Sequence, residues 1–339
     1  MTDDYAQPPE EYWEGRAAED TAQAEFDDAA VRRVFPTLNW VKLWDDDSEQ
    51  EWIVEPILPA RRMIALYSPP KTGKSLLMLE IAAAIAARKP VLGVTPARKY
   101  RTLYVDFEND PKEDVVKRLK AMGYGPAELE NLCYLSFPNM GSLDTEQGAL
   151  DLMAAIDAYK CEVAVIDTIS RAIEGEENEN NTWLRFYRHT GYKIKQQGVS
   201  LIRLDHSGKD ETKGQRGGSA KGGDVDAVWR LSQVTKDTTY RLDCEMNRMP
   251  VSEKTLVLHR LATPYLHHRV DGAGRKAAYD AKIVRVMEIL AEAGLDPSAG
   301  RAKAVEALKA VGESARTETL SEALRRRKTG FQEGLHLAS

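Results

Sequence analysis

The sequence has little cysteine, no long apolar run and no excess of positive charge. Its 339 residues include three cysteines, Cys133, Cys161 and Cys244, which lie far apart and form no CxxC pair. This spacing excludes a disulfide scaffold and argues against a structural zinc site. No apolar run approaches the roughly 18 residues that a membrane-spanning helix needs, and the acidic N-terminus lacks the apolar segment of a secretory signal. We therefore expect a cytoplasmic protein that has no membrane partner.

The charge of the chain is distributed unevenly. The formal net charge is −6, so any binding of nucleic acid must be local rather than a property of the whole surface. Residues 1–35 carry ten acidic residues against three arginines, with Pro8 and Pro9 and few large aliphatic side chains. This composition predicts a disordered acidic tail. The tail could simply keep the protein soluble, or it could bind a partner as a DNA-mimicking arm.

The core is predicted to span residues 36–270, and within it residues 60–260 alternate short apolar runs with helical patterns. Four of the runs are rich in β-branched or aromatic residues and predict buried strands of a parallel sheet; they span 63–68, 101–108, 163–167 and 199–206. The helical patterns between them predict an α/β fold with helices on both faces of the sheet. Three later runs follow without intervening helices and predict antiparallel strands that extend the sheet; they span 225–231, 239–246 and 254–260.

The segment 68–75, SPPKTGKS, is the strongest motif in the sequence. It follows an apolar strand and opens a helix, which is the setting of a P-loop whose backbone N–H groups surround phosphates. In such a loop Lys74 reaches the β- and γ-phosphates of ATP and Ser75 holds Mg²⁺. Ser68 stands where the motif has its first glycine, a position that tolerates another residue if its φ is not positive. The predicted nucleotide-binding residues are Ser68, Pro69, Pro70, Lys71, Thr72, Gly73, Lys74, Ser75 and Leu76.

Two acidic residues follow predicted strands at the same edge of the sheet. Asp167 ends the apolar run 163–167, and a carboxylate there would hold Mg²⁺ through water. Glu108 follows the strand after the P-loop helix, where a carboxylate can polarise the water that attacks a nucleotide. Asp106 precedes it, and we expect that residue to lie within the strand. Glu108 could alternatively be a capping or surface acid.

These motifs resemble a known family. SPPKTGKS, YVDFEN, VAVIDT and RLDHSGK, in this order and spacing, are similar to the RecA-type ATPase core, in particular that of RepA-type and DnaB-type hexameric helicases and their phage and actinobacterial relatives. The likeness covers about residues 40–260. It implies a RecA-like P-loop NTPase core with a mostly parallel sheet, the use of ATP and Mg²⁺, a homo-oligomer such as a hexamer, and single-stranded DNA as partner.

The resemblance also implies roles for individual residues. Glu108 matches the catalytic glutamate of the family, and His206 matches the polar sensor that reports the state of the γ-phosphate to a DNA-binding loop. The segment 207–224 that follows is rich in glycine and basic residues, a composition suited to gripping a phosphate backbone. Its candidate DNA-binding residues are Lys209, Lys213, Arg216 and Lys221. The same composition is also typical of a plain surface loop.

An arginine finger would act on the γ-phosphate bound by a neighbouring subunit. DnaB-type proteins carry a Lys-x-Arg pattern on the corresponding strand, and this chain has Met246, Asn247 and Arg248 there, so the lysine is lost. Arg248 is the favoured finger and is counted with Lys74, Glu108 and His206 as a catalytic candidate. Arg216 is the competitor.

Residues 276–330 predict a small helical module that follows a Gly-rich linker at 271–275. Three helical patterns, with glycines at the usual stop positions, fit a helix-turn-helix or winged-helix module. The segment carries eleven basic and eight acidic residues and ends in the run Arg325, Arg326, Arg327 and Lys328. It could dock on duplex DNA, or it could be a bundle that packs on the core or mediates oligomer contacts.

Four functions remain open at this stage. The favoured one is a ring-forming, ATP-hydrolysing helicase or translocase on single-stranded DNA. The others are a RecA/RadA-like recombination or repair ATPase and a DNA-binding regulator that ATP switches. A small-molecule P-loop kinase is the least favoured, because the sequence shows no Arg-rich lid.

Overall fold

The computed structural model describes residues 28–44, 50–207, 222–236, 238–315 and 317–336. It divides into a small unit, residues 1–50, and a large unit, residues 51–339. In the small unit, helix α1 covers 28–34 and helix α2 covers Trp40–Trp44. Most of the predicted acidic tail lies outside the described residues, and the described part, 28–35, is mainly this first helix.

The large unit is built around a nine-stranded sheet. Its order is β11-β10-β9-β8-β3-β7-β6-β4-β5. The strands are β3 Met63–Ser68, β4 Thr102–Asp106, β5 Leu132–Ser136, β6 Val163–Asp167, β7 Ser200–His206, β8 Ala227–Thr235, β9 Thr239–Asn247, β10 Thr255–Leu261 and β11 His267–Val270. The six strands from β8 to β5 run parallel, and β9, β10 and β11 alternate in direction. A separate hairpin pairs β1 Trp52–Val54 with β2 Leu58–Pro59.

Helices cover both faces of this sheet. Helix α3 (Lys74–Ala87) packs on one face, where Leu77 and Ile81 join Leu66 and Tyr104 in an apolar core. A second core on the other face includes residues of α5 and α7. The helices that follow α3 are α4 Lys117–Ala121, α5 Glu146–Tyr159, α6 Ile169–Ala172, α7 Asn180–Phe186 and α8 Tyr192–Gln197. The arrangement confirms the predicted α/β fold.

Several element boundaries differ from the predictions. Strand β4 ends at Asp106, so Glu108 lies two residues beyond the strand rather than at its last position. Strand β8 is parallel to β3, because the chain returns from β7 to the other side of β3 before it enters the antiparallel strands. Strands β5 and β11 were not predicted.

The C-terminal module consists of three helices, α9 Ala273–Glu292, α10 Arg301–Ala310 and α11 Thr317–His336. Helix α9 begins at Ala273, so the expected linker 271–275 is partly helical. The three helices share an apolar cluster that includes Ile283, Leu308 and Leu320. No strand follows Val270 in the described residues, so a β-wing is not seen there. The assignment as a helix-turn-helix module stays a prediction.

The basic run on α11 is largely engaged within the module. The guanidinium of Arg327 is buried and donates to the carbonyl oxygens of Leu290 and Leu295, near the end of α9. Arg325 and Arg326 both form ion pairs with Glu322 on the same helix. Cations at the C-terminal end of a helix are stabilising, so this run has a structural use that the sequence pattern alone did not indicate.

A buried ion network lies where β7 leaves the sheet. Arg203 is fully buried and pairs with Asp205 at 3.3 Å and with Asp224 at 2.5 Å. Its guanidinium also stacks over the Trp183 ring, 4.6 Å from the ring centroid. Burial alone would lower the pKa of Arg203, but the charges of Asp224 and Asp205 outweigh it and raise that pKa. Since the two aspartates flank the segment 206–223, one side chain holds both of its ends.

We expect Arg203→Ala to lower the free energy of unfolding by ~3–5 kcal/mol, because it leaves buried carboxylates without their cation. Lys117→Ala is the control, since it removes an exposed ion pair with Glu113 whose contribution is ~0–1 kcal/mol. Urea denaturation of both variants measures the difference. Equal effects would show that the Arg203 network is not needed for stability.

Candidate functional site

The P-loop joins the end of β3 to the start of α3 at the carboxyl edge of the sheet. Ser68 is the last residue of β3 and has no positive φ, so no glycine is required at this position. Lys71 and Gly73 adopt left-handed φ values of 63° and 98°, and they curl the chain into the loop. Thr72 donates through its hydroxyl to the carbonyl oxygen of Pro69 at 2.8 Å. The loop is therefore shaped by its own hydrogen bonds and turns.

Lys74 and Ser75 open helix α3 next to Asp167 of β6. Lys74 is buried, and its charge opposes the effect of burial on Asp167. The Ser75 hydroxyl donates to Asp167 Oδ1 at 3.1 Å. A hydroxyl beside a carboxylate provides the hard oxygen donors that Mg²⁺ prefers, so these two residues fit the predicted metal role. The described residues contain no group of three or more His, Cys, Asp or Glu side chains arranged to hold a metal ion. Bound phosphates would therefore supply further ligands.

Asp167 is held from its other side by a phenol. The Tyr104 hydroxyl donates to Asp167 Oδ2 at 2.8 Å. Burial raises the pKa of Asp167, and the charge of Lys74 together with the bond from Tyr104 acts against that rise. Tyr104 thus orients the carboxylate whose other oxygen accepts from Ser75, in the way that outer partners orient metal ligands.

Glu108 is presented by a turn that Asp106 holds in place. Asp106 is buried and accepts hydrogen bonds from the backbone N–H of Glu108 at 2.8 Å and of Asn109 at 3.0 Å. The Glu108 carboxylate accepts a hydrogen bond from the Thr168 hydroxyl at 3.1 Å and lies 3.5 Å from Arg171 Nε. Since Thr168 directly follows Asp167, these bonds bring the predicted catalytic glutamate to the predicted metal ligand.

A stacked tyrosine pair on β4 and β5 donates hydrogen bonds to the two buried aspartates of the site. Tyr104 of β4 and Tyr134 of β5 are register partners, and their rings stack with centroids 4.9 Å apart. Tyr134 donates its hydroxyl to Asp106, and Tyr104 donates to Asp167. Burial raises the pKa of both phenols, so they remain protonated donors. Sequence reasoning missed both tyrosines, as well as Thr168 and Arg171, because the register of β4 with β5 and β6 creates these contacts.

His206 ends β7 directly beside the start of the P-loop. It is the register partner of Ser68, and Ser207 N–H donates to the Ser68 carbonyl oxygen at 3.0 Å. Burial lowers the pKa of His206, the charge of Lys74 lowers it further, and Glu108 opposes them. These effects favour the neutral form of the imidazole. Its Nδ1 is buried and has no hydrogen-bond partner among the described residues.

The remaining predicted residues lie elsewhere or outside the description. Arg248 is exposed just after β9 and donates to the carbonyl oxygen of Gly223, at the end of the basic segment. Leu76 lies in the first turn of α3 and is half-buried against the core. The DNA-binding candidates Lys209, Lys213, Arg216 and Lys221 lie outside the described residues, so their role stays a prediction. Among the described residues, no helix has the length and apolar character needed to cross a bilayer.

We expect Tyr104→Phe to raise the Mg²⁺ concentration needed for half-maximal ATP hydrolysis, because Asp167 loses the donor that orients it. Loss of such an outer partner typically costs about 10–100-fold in metal affinity or activity. Tyr100→Phe is the matched control, since its hydroxyl bonds to Glu51 and not to the site. A Mg²⁺ titration of both variants measures the effect, and identical curves would exclude the orienting role.

Two comparisons with known proteins found similarities. A model of the AAA domain family matches residues 31–212, more than half of the chain. Among solved structures, the chain is similar to a KaiC-like protein from the hyperthermophilic archaeon Pyrococcus horikoshii OT3, at a TM-score of 0.49 and 14% sequence identity. That match covers 66% of this chain and 99% of the other. No curated protein matches the chain significantly. The chain belongs to the AAA domain family, and its core carries a P-loop on a mostly parallel sheet.

Proposed function

We propose that this protein is an ATP-hydrolysing motor that depends on single-stranded DNA, similar to RepA-type and DnaB-type replicative helicases. The observation that carries the proposal is the position of His206. It lies beside the first residue of the P-loop, and the next residue opens the basic, Gly-rich segment 207–224. A change at the γ-phosphate could thus move His206 and, with it, the start of the segment that is suited to binding DNA.

The hydrolytic step rests on Glu108. Its carboxylate is about one-third exposed and is held by Thr168 and Arg171, so it can accept a proton from water beside the nucleotide. Lys74 would neutralise the developing charge on the phosphates. Ser75 and Asp167 would hold Mg²⁺, which would supply positive charge to stabilise the phosphates.

The coupling step rests on the two ends of the basic segment. Arg203 binds Asp205 and Asp224 on either side of it, and Arg248 binds the carbonyl oxygen of Gly223. In this proposal Lys209, Lys213, Arg216 and Lys221 bind the DNA backbone. A homo-oligomeric ring, such as a hexamer, would supply Arg248 or Arg216 as a finger to the neighbouring site. The proposed compartment is the cytoplasm.

A RecA/RadA-like recombination or repair ATPase would use the same core in an open filament, and electron microscopy would distinguish a filament from a ring. The ATP-switched regulator depends on duplex binding by the C-terminal module. That reading has less support, because Arg325, Arg326 and Arg327 are engaged within the module.

Glu108→Gln tests the hydrolytic role. We expect the turnover number for ATP to fall by ~10²–10⁴-fold, the usual contribution of a general base. Nucleotide binding should be retained because the P-loop is intact. Steady-state hydrolysis with and without single-stranded DNA measures both the loss and the stimulation. Glu113→Gln, an exposed site paired with Lys117, is the control. Wild-type hydrolysis that is indifferent to DNA would contradict the motor and favour the regulatory switch.

Replacement of Lys209, Lys213, Arg216 and Lys221 by glutamine tests the DNA contact. If all four residues bind phosphates, the slope of log affinity against log salt for single-stranded DNA should fall by about 3. The control replaces three exposed lysines elsewhere, Lys112, Lys117 and Lys120, and should leave the slope unchanged. An equal reduction in both proteins would mean that the segment has no special role in DNA binding.

A further inference from the structure

Arg260 lies against the P-loop although no motif of the sequence includes it. A Cβ built on Gly73 would lie 3.7 Å from Arg260 Nη1, so the guanidinium approaches the loop backbone directly before Lys74. Lys74 and Gly73 belong to the part of the loop that surrounds phosphates.

The topology explains how a residue of the outer sheet reaches this position. Strand β8 is parallel to β3, β9 reverses the direction, and β10 reverses it again. Strand β10 therefore ends at the same edge of the sheet as β3. Arg260 is the penultimate residue of β10, and its backbone N–H donates to the Thr238 carbonyl oxygen at 2.8 Å. Ligands of open α/β sheets bind at this edge.

Packing directs the Arg260 side chain toward helix α3. Leu256 and Leu258 share its face of β10 because successive side chains alternate, and both are buried in the core that includes α3. The guanidinium lies over the Tyr240 ring, 5.3 Å from the ring centroid. The neighbouring strand β11 also contacts α3, because His268 Nδ1 of β11 lies 2.6 Å from Oε2 of Glu80 in α3. These contacts hold Arg260 at the first turn of α3.

The electrostatics of this position favour an anion. The N-terminus of a helix carries a partial positive charge, which favours a bound anion. Lys74 adds a full positive charge in the first turn of α3. A guanidinium beside this turn offers several donors suited to phosphate oxygens.

We propose that Arg260 is a nucleotide-binding residue that contacts the α-phosphate and ribose side of the nucleotide in the P-loop. Asp167 and His206 lie on β6 and β7, on one side of β3, whereas Arg260 approaches from β10 on the other side. In the proposed function, the side with β6 and β7 contacts the γ-phosphate and Mg²⁺. Arg260 therefore faces the opposite end of the nucleotide, which ATP and ADP share. This inference rests on the nucleotide binding that the proposed function requires, and it is independent of DNA.

The test compares wild type with Arg260→Met, which keeps most of the side-chain volume and removes the charge. Equilibrium titration with fluorescent ATP and ADP analogues gives both affinities, and steady-state kinetics give kcat and KM. We expect both affinities to fall by roughly tenfold, the loss of one charge-assisted hydrogen bond, with kcat at saturating ATP unchanged. Arg269→Met on the adjacent strand β11 is the matched control, since Arg269 is exposed and alternates away from His268.

Unchanged affinities in Arg260→Met would overturn the inference. A fall in kcat with affinity retained would also overturn it, because the residue would then act at the γ-phosphate. If the methionine variant does not fold, as judged by thermal unfolding, Arg260→Lys takes its place. It should weaken ATP and ADP equally, and unchanged binding would overturn the assignment. Absence of nucleotide binding in wild type would overturn both this inference and the proposed motor. Absence of DNA stimulation alone would overturn only the motor.

Discussion

The parallel pairing of β3 with β7 and β8 is the constraint on which the rest of the molecule depends. Parallel strands all end at one edge of a sheet, so the loops that follow them meet in space even when they are far apart in sequence. The register sets Ser68 beside His206 and Asp106 beside Asp167. A shift of one residue in either pair would turn the side chains to the opposite face and separate the acidic groups from the P-loop.

Residue patterns predicted the inner strands well and the outer strands less well. The run 63–68 coincides with β3 and the run 163–167 with β6, because strands buried on both faces are continuously apolar. Strand β5 is only half-buried at the edge of the sheet and has no such signal. The direction of β8 could not be read from its own residues, since it depends on how the long connection from β7 returns to the sheet. Tyr104 and Tyr134 could not be predicted for a similar reason, because their contact depends on the register of β4 with β5.

The positive and negative charges of the site lie in different places. Lys74 lies at the P-loop, where the proposed function places the phosphates, and the carboxylates lie on β6 and at the end of β4, where it places a metal ion and water. Three acids in so small a space, Asp106, Asp167 and Glu108, would repel one another if they were left without donors. Each instead accepts hydrogen bonds from a hydroxyl or a backbone N–H, which allows the acidic groups to remain close. The stacked tyrosines thus serve the packing of the sheet and its electrostatics together.

The Arg203 network also limits how far the basic segment can extend. Asp205 and Asp224 are both bonded to one buried guanidinium, so the two ends of the chain between them are pinned at nearly the same point. The midpoint of segment 206–223 is about nine residues from either aspartate, a length that spans at most about 30 Å when fully extended. Anything bound at that midpoint must therefore lie within about 30 Å of an anchoring aspartate. A force on either end of the segment would therefore act on the same residue, Arg203.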